Sequence, residues 1–111
     1  MTDAMNVKPI FEAMPRTLNK EAAKAANIVY QFNLAGEGGG QFTVTIRDGE
    51  CKVEEGVYGS PDVTISAAAS DYMNIVTGAY PFGLAYINGR LQVDGDLRLV
   101  VRMASYFAPS P

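Results

Sequence analysis

Histidine is absent from this chain of 111 residues, and cysteine occurs once, at Cys51. The first absence removes the commonest general base and the commonest transition-metal ligand together. Ser–His triads, Cys–His dyads and most zinc sites are thereby excluded. The second rules out an internal disulfide and makes a reducing compartment, the cytoplasm, the expected setting. No basic run occurs, and nine basic against twelve acidic side chains leave a net charge of −3, so nucleic acid is not an expected partner. The N-terminus lacks the basic start and continuous apolar stretch of an export signal. No segment is long enough to span a bilayer, and the ending Ala108-Pro109-Ser110-Pro111 carries no address signal. Internal repeats and low-complexity tracts are also missing.

What is present is a globular balance, 48% apolar and 19% charged residues. The length fits one domain over residues 1–111, able to bury roughly two-thirds of its unfolded surface. It divides into a helical segment at 5–26, a sheet-and-helix body at 28–107 and a tail at 108–111. Val7, Ile10, Phe11, Met14 and Leu18 recur at three- and four-residue spacing and predict a helix. Pro9 suits its first turn, and Pro15 is expected to kink or end it. Asn19 is placed to cap a further alanine-rich helical turn or two, Lys20 to Ala26.

The period then changes to two. Ile28, Tyr30, Phe32 and Leu34 alternate with Val29, Gln31, Asn33 and Ala35. After a turn at Gly36–Gly40, Phe42, Val44 and Ile46 alternate with Gln41, Thr43, Thr45 and Arg47. Asp48-Gly49 is a hairpin signal, and Cys51 and Val53 continue the pattern beyond it. Three strands of an antiparallel meander follow, one face apolar and the other polar and wet. Val63 and Ile65 begin a fourth strand. Ala67 to Thr77 reads as a helix with Tyr72, Met73, Ile75 and Val76 inward and Gly78 past its end. Pro81 opens a short helix carrying Phe82, Leu84, Ala85 and Ile87, closed by Asn88-Gly89. Leu91 and Val93 form a fifth strand, and Asp96 caps a last helix. On that helix Leu97, Val100, Val101, Ala104 and Phe107 make one apolar stripe, and Leu99, Met103 and Tyr106 a second. The arc is wider than a helix lying on one sheet needs. It is explained either by a filled core or by a ligand or partner that covers it.

Several motifs invite chemistry and have plainer explanations. Gly36–Gly40 is followed by a strand, not by the helix a phosphate loop requires. Asp94-Gly95-Asp96 lacks the further carboxylates of a calcium loop. Asp71 beside Tyr72, with Tyr30, is the one candidate acid set, but an aspartate in a helix's first turn is ordinary dipole stabilisation. Cys51 points inward with Val53 between Glu50 and Glu54, a setting opposed to thiolate reactivity. Arg98 and Arg102, one turn apart, and Arg90 are candidates for an anionic headgroup or membrane surface. No catalytic residue and no metal site is assigned, and no cofactor is expected.

The ordered set of these segments resembles the sterol carrier protein type 2 family. Phe11-Glu12-Ala13-Met14-Pro15 is similar to the N-terminal helix of many members. Tyr30-Gln31-Phe32-Asn33-Leu34-Ala35-Gly36 with Glu37-Gly38-Gly39-Gly40 resembles the family's first strand and turn, and Phe42-Thr43-Val44-Thr45-Ile46 with Asp48-Gly49 its hairpin. Asp62-Val63-Thr64-Ile65-Ser66 leading to Asp71-Tyr72-Met73 and Thr77-Gly78 matches the next strand and helix. Asn88-Gly89-Arg90-Leu91-Gln92-Val93-Asp94-Gly95-Asp96-Leu97 is the most specific block. The likeness runs from about residue 7 to residue 107. Three features depart from the pattern. The chain ends without the peroxisomal tripeptide of animal members. Ala68 replaces a frequent capping serine, which shifts the expected helix start to Ser66 or Ser70. Asn33 replaces an aspartate and is expected to face solvent.

The resemblance implies an α+β fold: a five-stranded mixed, mostly antiparallel sheet with one face covered by about four or five helices. It further implies an apolar tunnel between sheet and helices for a fatty acid, acyl-CoA, phospholipid or sterol-like lipid, bound without catalysis. From the sheet, the lining expected is Phe32, Leu34, Phe42, Val44, Ile65 and Val93. From the middle helices it is Met73, Val76, Phe82, Leu84 and Ile87, and from the last helix Val100, Met103, Ala104 and Phe107. Burying a chain of about sixteen carbons is worth roughly 12 kcal/mol gross at about 0.8 kcal/mol per methylene. Lost motion takes back a large share, yet micromolar binding is within reach without a charged anchor. The alternative is an interaction module whose last helix docks a second copy or a lipid-metabolising enzyme. A small enzyme built on Asp71, Tyr72 or Tyr30 is the third reading.

Overall fold

The computed structural model describes residues 7–57 and 59–106, with backbone alone at 104 and 105. Nine elements follow one another: α1 (Lys8–Thr17), β1 (Asn27–Ala35), β2 (Gly40–Arg47), β3 (Glu50–Glu55), β4 (Val63–Ala68), α2 (Ala69–Val76), α3 (Phe82–Ile87), β5 (Leu91–Gly95) and α4 (Leu97–Tyr106). The strands form one open sheet in the order β3-β2-β1-β4-β5. β1 and β4 run parallel, and every other neighbouring pair is antiparallel.

The period-two pattern sets the register. Tyr30, Phe32 and Leu34 lie opposite Val44, Phe42 and Gly40 on one side and opposite Val63, Ile65 and Ala67 on the other. All the inward side chains of β1 and β2 therefore meet on one face, where Tyr30, Phe32, Val44, Ile46, Val63 and Ile65 are almost fully buried. The β2–β3 turn has Asp48 and Gly49 both at positive φ, 55° and 76°, the backbone that matches strand twist in a two-residue hairpin. At the other end of β1, a side chain on Gly39 would run into the Leu34 carbonyl.

Helix α1 packs against β3 and inserts Phe11 between strands and helix α2. Its ring stacks on Phe42 (centroids 4.2 Å apart) and Tyr72 (5.6 Å), and meets Phe32 edge-on at 5.0 Å. Pro15 does not end α1, which runs on to Thr17. The proline sits in the last turn, where only one backbone bond is forfeited; Thr17 Oγ1 donates to the Ala13 carbonyl there (3.2 Å), and the Leu18 amide donates to Met14 (3.1 Å). Residues 20–25 form hydrogen-bonded turns rather than the alanine-rich helix expected. Asn19 Oδ1 does accept from the Ala22 amide (3.1 Å), but the segment offers only Ala23 to the core, with no large side chain packed there to hold a helix. The helices covering the sheet thus number four among the described residues.

Two further expectations change. Strand β4 extends to Ala68, since Ala67 and Ala68 pair with Leu34 and Ala35, and α2 starts at Ala69 with no side-chain cap bond. Neither Ser66 nor Ser70 takes over the capping position. The polar face is not wet at its centre: Gln31 and Thr43 are each only 2% exposed. Gly56, just after β3, and Asp62, just before β4, are both held against this part of the sheet. Thr43 Oγ1 donates to Gln31 Oε1 (2.8 Å) and approaches the Gly56 carbonyl (2.9 Å). The Asp62 carboxylate accepts from the Val29 amide (2.8 Å). Asn33, expected to face solvent, is half-buried beside this network and accepts from Gln31 Nε2 (3.2 Å) and Gln41 Nε2 (3.4 Å).

Candidate functional site

The apolar face of the sheet is covered unequally. Over β1 and β2 it is closed by Phe11, Met14 and Leu18 of the N-terminal segment, all buried. Over β4 and β5 the cover comes from α2, which rests on β4 and β1, from α3 beside β5, and from α4 on β4. Here the apolar side chains stay partly open. Met73 of α2, Phe82 of α3, Val93 of β5, and Leu97, Leu99 and Met103 of α4 are half-buried and pack against the core.

Local sequence explains why α4 is held while its face is not sealed. Asp96 Oδ1 accepts from the Arg98 amide at 2.9 Å, the cap anticipated from sequence. Hydrogen bonds from the Arg98 side chain and amide hold the Asp96 carboxyl below the usual carboxylate range. Tyr30 Oη donates to the Leu99 carbonyl at 2.6 Å, and the Asn19 amide donates to the Tyr106 carbonyl at 2.7 Å. The helix is tied at both ends and in the middle by polar contacts. Val100 and Tyr106 are its buried anchors, whereas Val101, expected in an apolar stripe, is 55% exposed.

The sequence-derived lining set therefore divides. Phe32, Leu34, Phe42, Val44 and Ile65 lie fully in the packed core, and Val100 at its edge. Met73, Phe82, Val93 and Met103 line the half-open region. Val76, Leu84 and Ile87 lie on the outside, and Val76 is not the inward residue its helix pattern implied. The Ala104 side chain and Phe107 lie outside the described residues. Leu97 and Leu99 belong with the half-open group and were missing from the expected lining. Their signal was the wide apolar arc of α4, whose members a helical projection alone cannot rank.

The candidate acid set does not assemble. Asp71 sits at the rim of a depression of about 430 Å³ on the opposite, polar face, beside Asn33, Ser66, Arg90 and Gln92. Its carboxylate pairs with Arg90 at 3.7 Å. Tyr72 is buried against Phe11 and Phe32, and Tyr30 is engaged with α4. Burial raises both tyrosine hydroxyls well above the ordinary phenol value, Tyr30 with a further push from Tyr106. Burial also pushes the Cys51 thiol up to about 11. Among the described residues no group of three or more potential metal ligands converges. No helix there is long and apolar enough to cross a membrane.

A sequence profile of the SCP-2 sterol transfer family matches residues 8–108. The chain belongs to that family. Membership makes this SCP-2 domain a lipid-binding or lipid-transfer domain in general terms. Hydroxysteroid dehydrogenase-like protein 2 of Xenopus laevis is 28% identical over 102 residues, which is 91% of this chain and 24% of that protein. The SCP-2 domain thus spans about a quarter of the length of the curated relatives it matches first. Sterol carrier protein 2 like 2 of Aedes aegypti superposes with a TM-score of 0.73 at 25% identity, covering 89% of this chain and 91% of that one. A double mutant of the sec-alkyl sulfatase PisA1 superposes with a TM-score of 0.83 over 98% of this chain and 17% of its own, at 18% identity. That last likeness is one of fold.

Proposed function

We propose that the protein binds a single apolar lipid, of the fatty acyl or sterol-like class, on the β4–β5 half of the sheet beneath α2, α3 and α4. It transfers or presents that lipid without chemical change. The observation that carries this reading is the half-open apolar rim of Met73, Phe82, Val93, Leu97, Leu99 and Met103, contributed by α2, α3, β5 and α4 around the β4–β5 half of the sheet. Two of the six are methionines, whose flexible thioethers adapt to ligands of varied shape. Movement of α4 away from β4 would admit a chain there at little cost to the Phe11 cluster, which α4 does not join. Ile65 of β4 and Leu91 of β5, both buried, then serve as the floor that supports the site. The dispersed Asp71, Tyr72 and Tyr30 support a carrier rather than an enzyme.

Native mass spectrometry of the purified protein tests the reading, together with titration of a fluorescent fatty acid and its displacement by unlabelled lipid. Co-purified lipid or saturable, displaceable binding is the expected result. A protein that carries nothing and binds neither fatty acid, acyl-CoA nor sterol would remove the proposal. A second reading, docking of α4 on another copy or on an associated enzyme, is favoured by exposed Val101 and by the quarter-length coverage of the relatives. It predicts a concentration-dependent mass in light scattering that Val101→Asp abolishes.

A further inference from the structure

Helix α3 is an anomaly of composition. Its six residues, Phe82-Gly83-Leu84-Ala85-Tyr86-Ile87, carry no polar side chain apart from one phenol. An all-apolar helix belongs in a core or against lipid. Yet only Ala85 is buried, and Ile87 is 79%, Leu84 49% and Tyr86 41% exposed. Single exposed apolar residues are ordinary. Here four of the six large hydrophobics exposed among the described residues, Val76, Leu84, Tyr86 and Ile87, fall on the end of α2 and on α3.

Charge is segregated in the same place. Ten of the twelve acidic residues precede Tyr72, and from Tyr72 to Val93 there is no acidic residue and one charge, Arg90. The segment is also built rather than frayed. The Tyr80 amide donates to the Asn74 carbonyl (3.0 Å) and the Arg90 amide to Ala85 (2.9 Å), and Asn88 Nδ2 donates to Tyr80 Oη (3.0 Å). Leu84 and Ile87, three residues apart, share the outward face of α3.

We propose that the α2–α3 hairpin is a membrane-docking face, with Leu84 and Ile87 entering the headgroup boundary of an anionic bilayer, Tyr86 at the interface and Arg90 on a lipid phosphate. The proposal deepens the lipid-carrier reading and rests on it, since α2 and α3 also border the half-open site and docking would bring that site to its lipid supply. Tyrosine at the interface and an apolar helix face beside a cation are the features of interfacial binding. Arg90 holds Asp71 at 3.7 Å with its side chain 60% exposed, and its five N–H donors leave capacity for a phosphate. A protein partner fits less well. The four exposed side chains offer a few hundred Å², roughly half of the ~800 Å² per partner that a stable protein interface buries.

The chain has no tryptophan, so Tyr86→Trp supplies a single reporter. Phosphatidylcholine vesicles containing phosphatidylserine are expected to shift its emission to the blue and to quench it when the lipid is brominated. Val57→Trp, in the exposed loop after β3, is expected to stay unchanged. Leu84→Asp with Ile87→Asp, both at exposed positions, is expected to weaken vesicle binding by about tenfold or more. The double variant should still bind a fluorescent fatty acid in the absence of vesicles. Emission from the Tyr86→Trp variant that is indifferent to vesicles, or an equal response from the Val57→Trp variant, overturns docking. So does a wild-type dimer that the double variant turns into a monomer, which would assign the patch to a second copy. Vesicle docking by a protein that binds no fatty acid would instead overturn the carrier reading and leave docking in place.

Discussion

The two halves of the sheet are built from the same kinds of residue and end up in different states. On the β3-β2-β1 side, α1 drives Phe11 onto Phe42, Phe32 and Tyr72, and behind the sheet the Gln31–Thr43–Gly56 network seals the polar face. On the β4–β5 side, three short helices of eight, six and ten residues share the cover. Their apolar side chains remain half-buried. An aromatic wedge closes β1 and β2; over β4 and β5, small helices joined by glycine turns leave apolar side chains partly exposed. A protein that must hold its shape while admitting a ligand needs both, because low local stability belongs where the structure has to open.

This contrast can be broken or sharpened by substitution. The largest effect is expected from Phe11→Ala, which empties the centre of the closed half. Chemical denaturation should register a loss of about 3–5 kcal/mol. Fatty acid affinity, measured where the variant is still folded, should change little; a matching loss of affinity would erase the division into halves. Next comes Thr43→Val, isosteric but without the donor to Gln31 Oε1. Leaving that buried oxygen unpaired should cost about 1–3 kcal/mol.

Tyr30→Phe removes the hydrogen bond from β1 to the Leu99 carbonyl of α4 and should cost about 1 kcal/mol. Hydrogen exchange should report faster opening confined to α4. Phe82→Ala, in the half-open region, should lower stability by about 1 kcal/mol or less while weakening fatty acid binding about three- to tenfold. The smallest effect concerns pH. Burial raises the Cys51 thiol from the ordinary 9 to about 11, so between those values the unfolded chain has lost a proton that the folded one keeps. Stability should therefore fall as pH rises from about 9 to about 11. Urea midpoints of the wild type and Cys51→Val, compared across that range, should converge or cross as this component is lost from the wild type alone.

Much of the closed half was legible beforehand because its signals are local. Strict alternation in residues 28–46 and the Asp48-Gly49 turn lead directly to β1, β2 and their register. The spacing of Val7, Phe11, Met14 and Leu18 leads to the buried stripe of α1. The misreadings have a common cause. The burial of Gln31 and Thr43, with Asn33 half-buried beside them, goes with the Gly56 carbonyl lying against both, a long-range contact no local pattern encodes. Residues 20–25 have helical propensity, but only Ala23 among them reaches the core, and packing rather than propensity holds a short helix. Among the residues expected to line a tunnel, Met73, Phe82, Val93 and Met103 are partly buried against the core. Their separation from Phe32, Val44 and Ile65 was not readable, because a period shows which way a side chain points and not how much cover lies above it.

By itself, then, the sequence determined the strands, the buried stripe of α1, the hairpin and the cap at Asp96, all of which depend on residues within a few positions of one another. The tertiary structure alone decided that Tyr30 would reach the Leu99 carbonyl, that Asp71, Tyr72 and Tyr30 would be parted, and that Leu84 and Ile87 would emerge on the surface. Those outcomes depend on how much apolar area three short helices can bury over two strands. That quantity belongs to the packed whole, and no segment carries it alone.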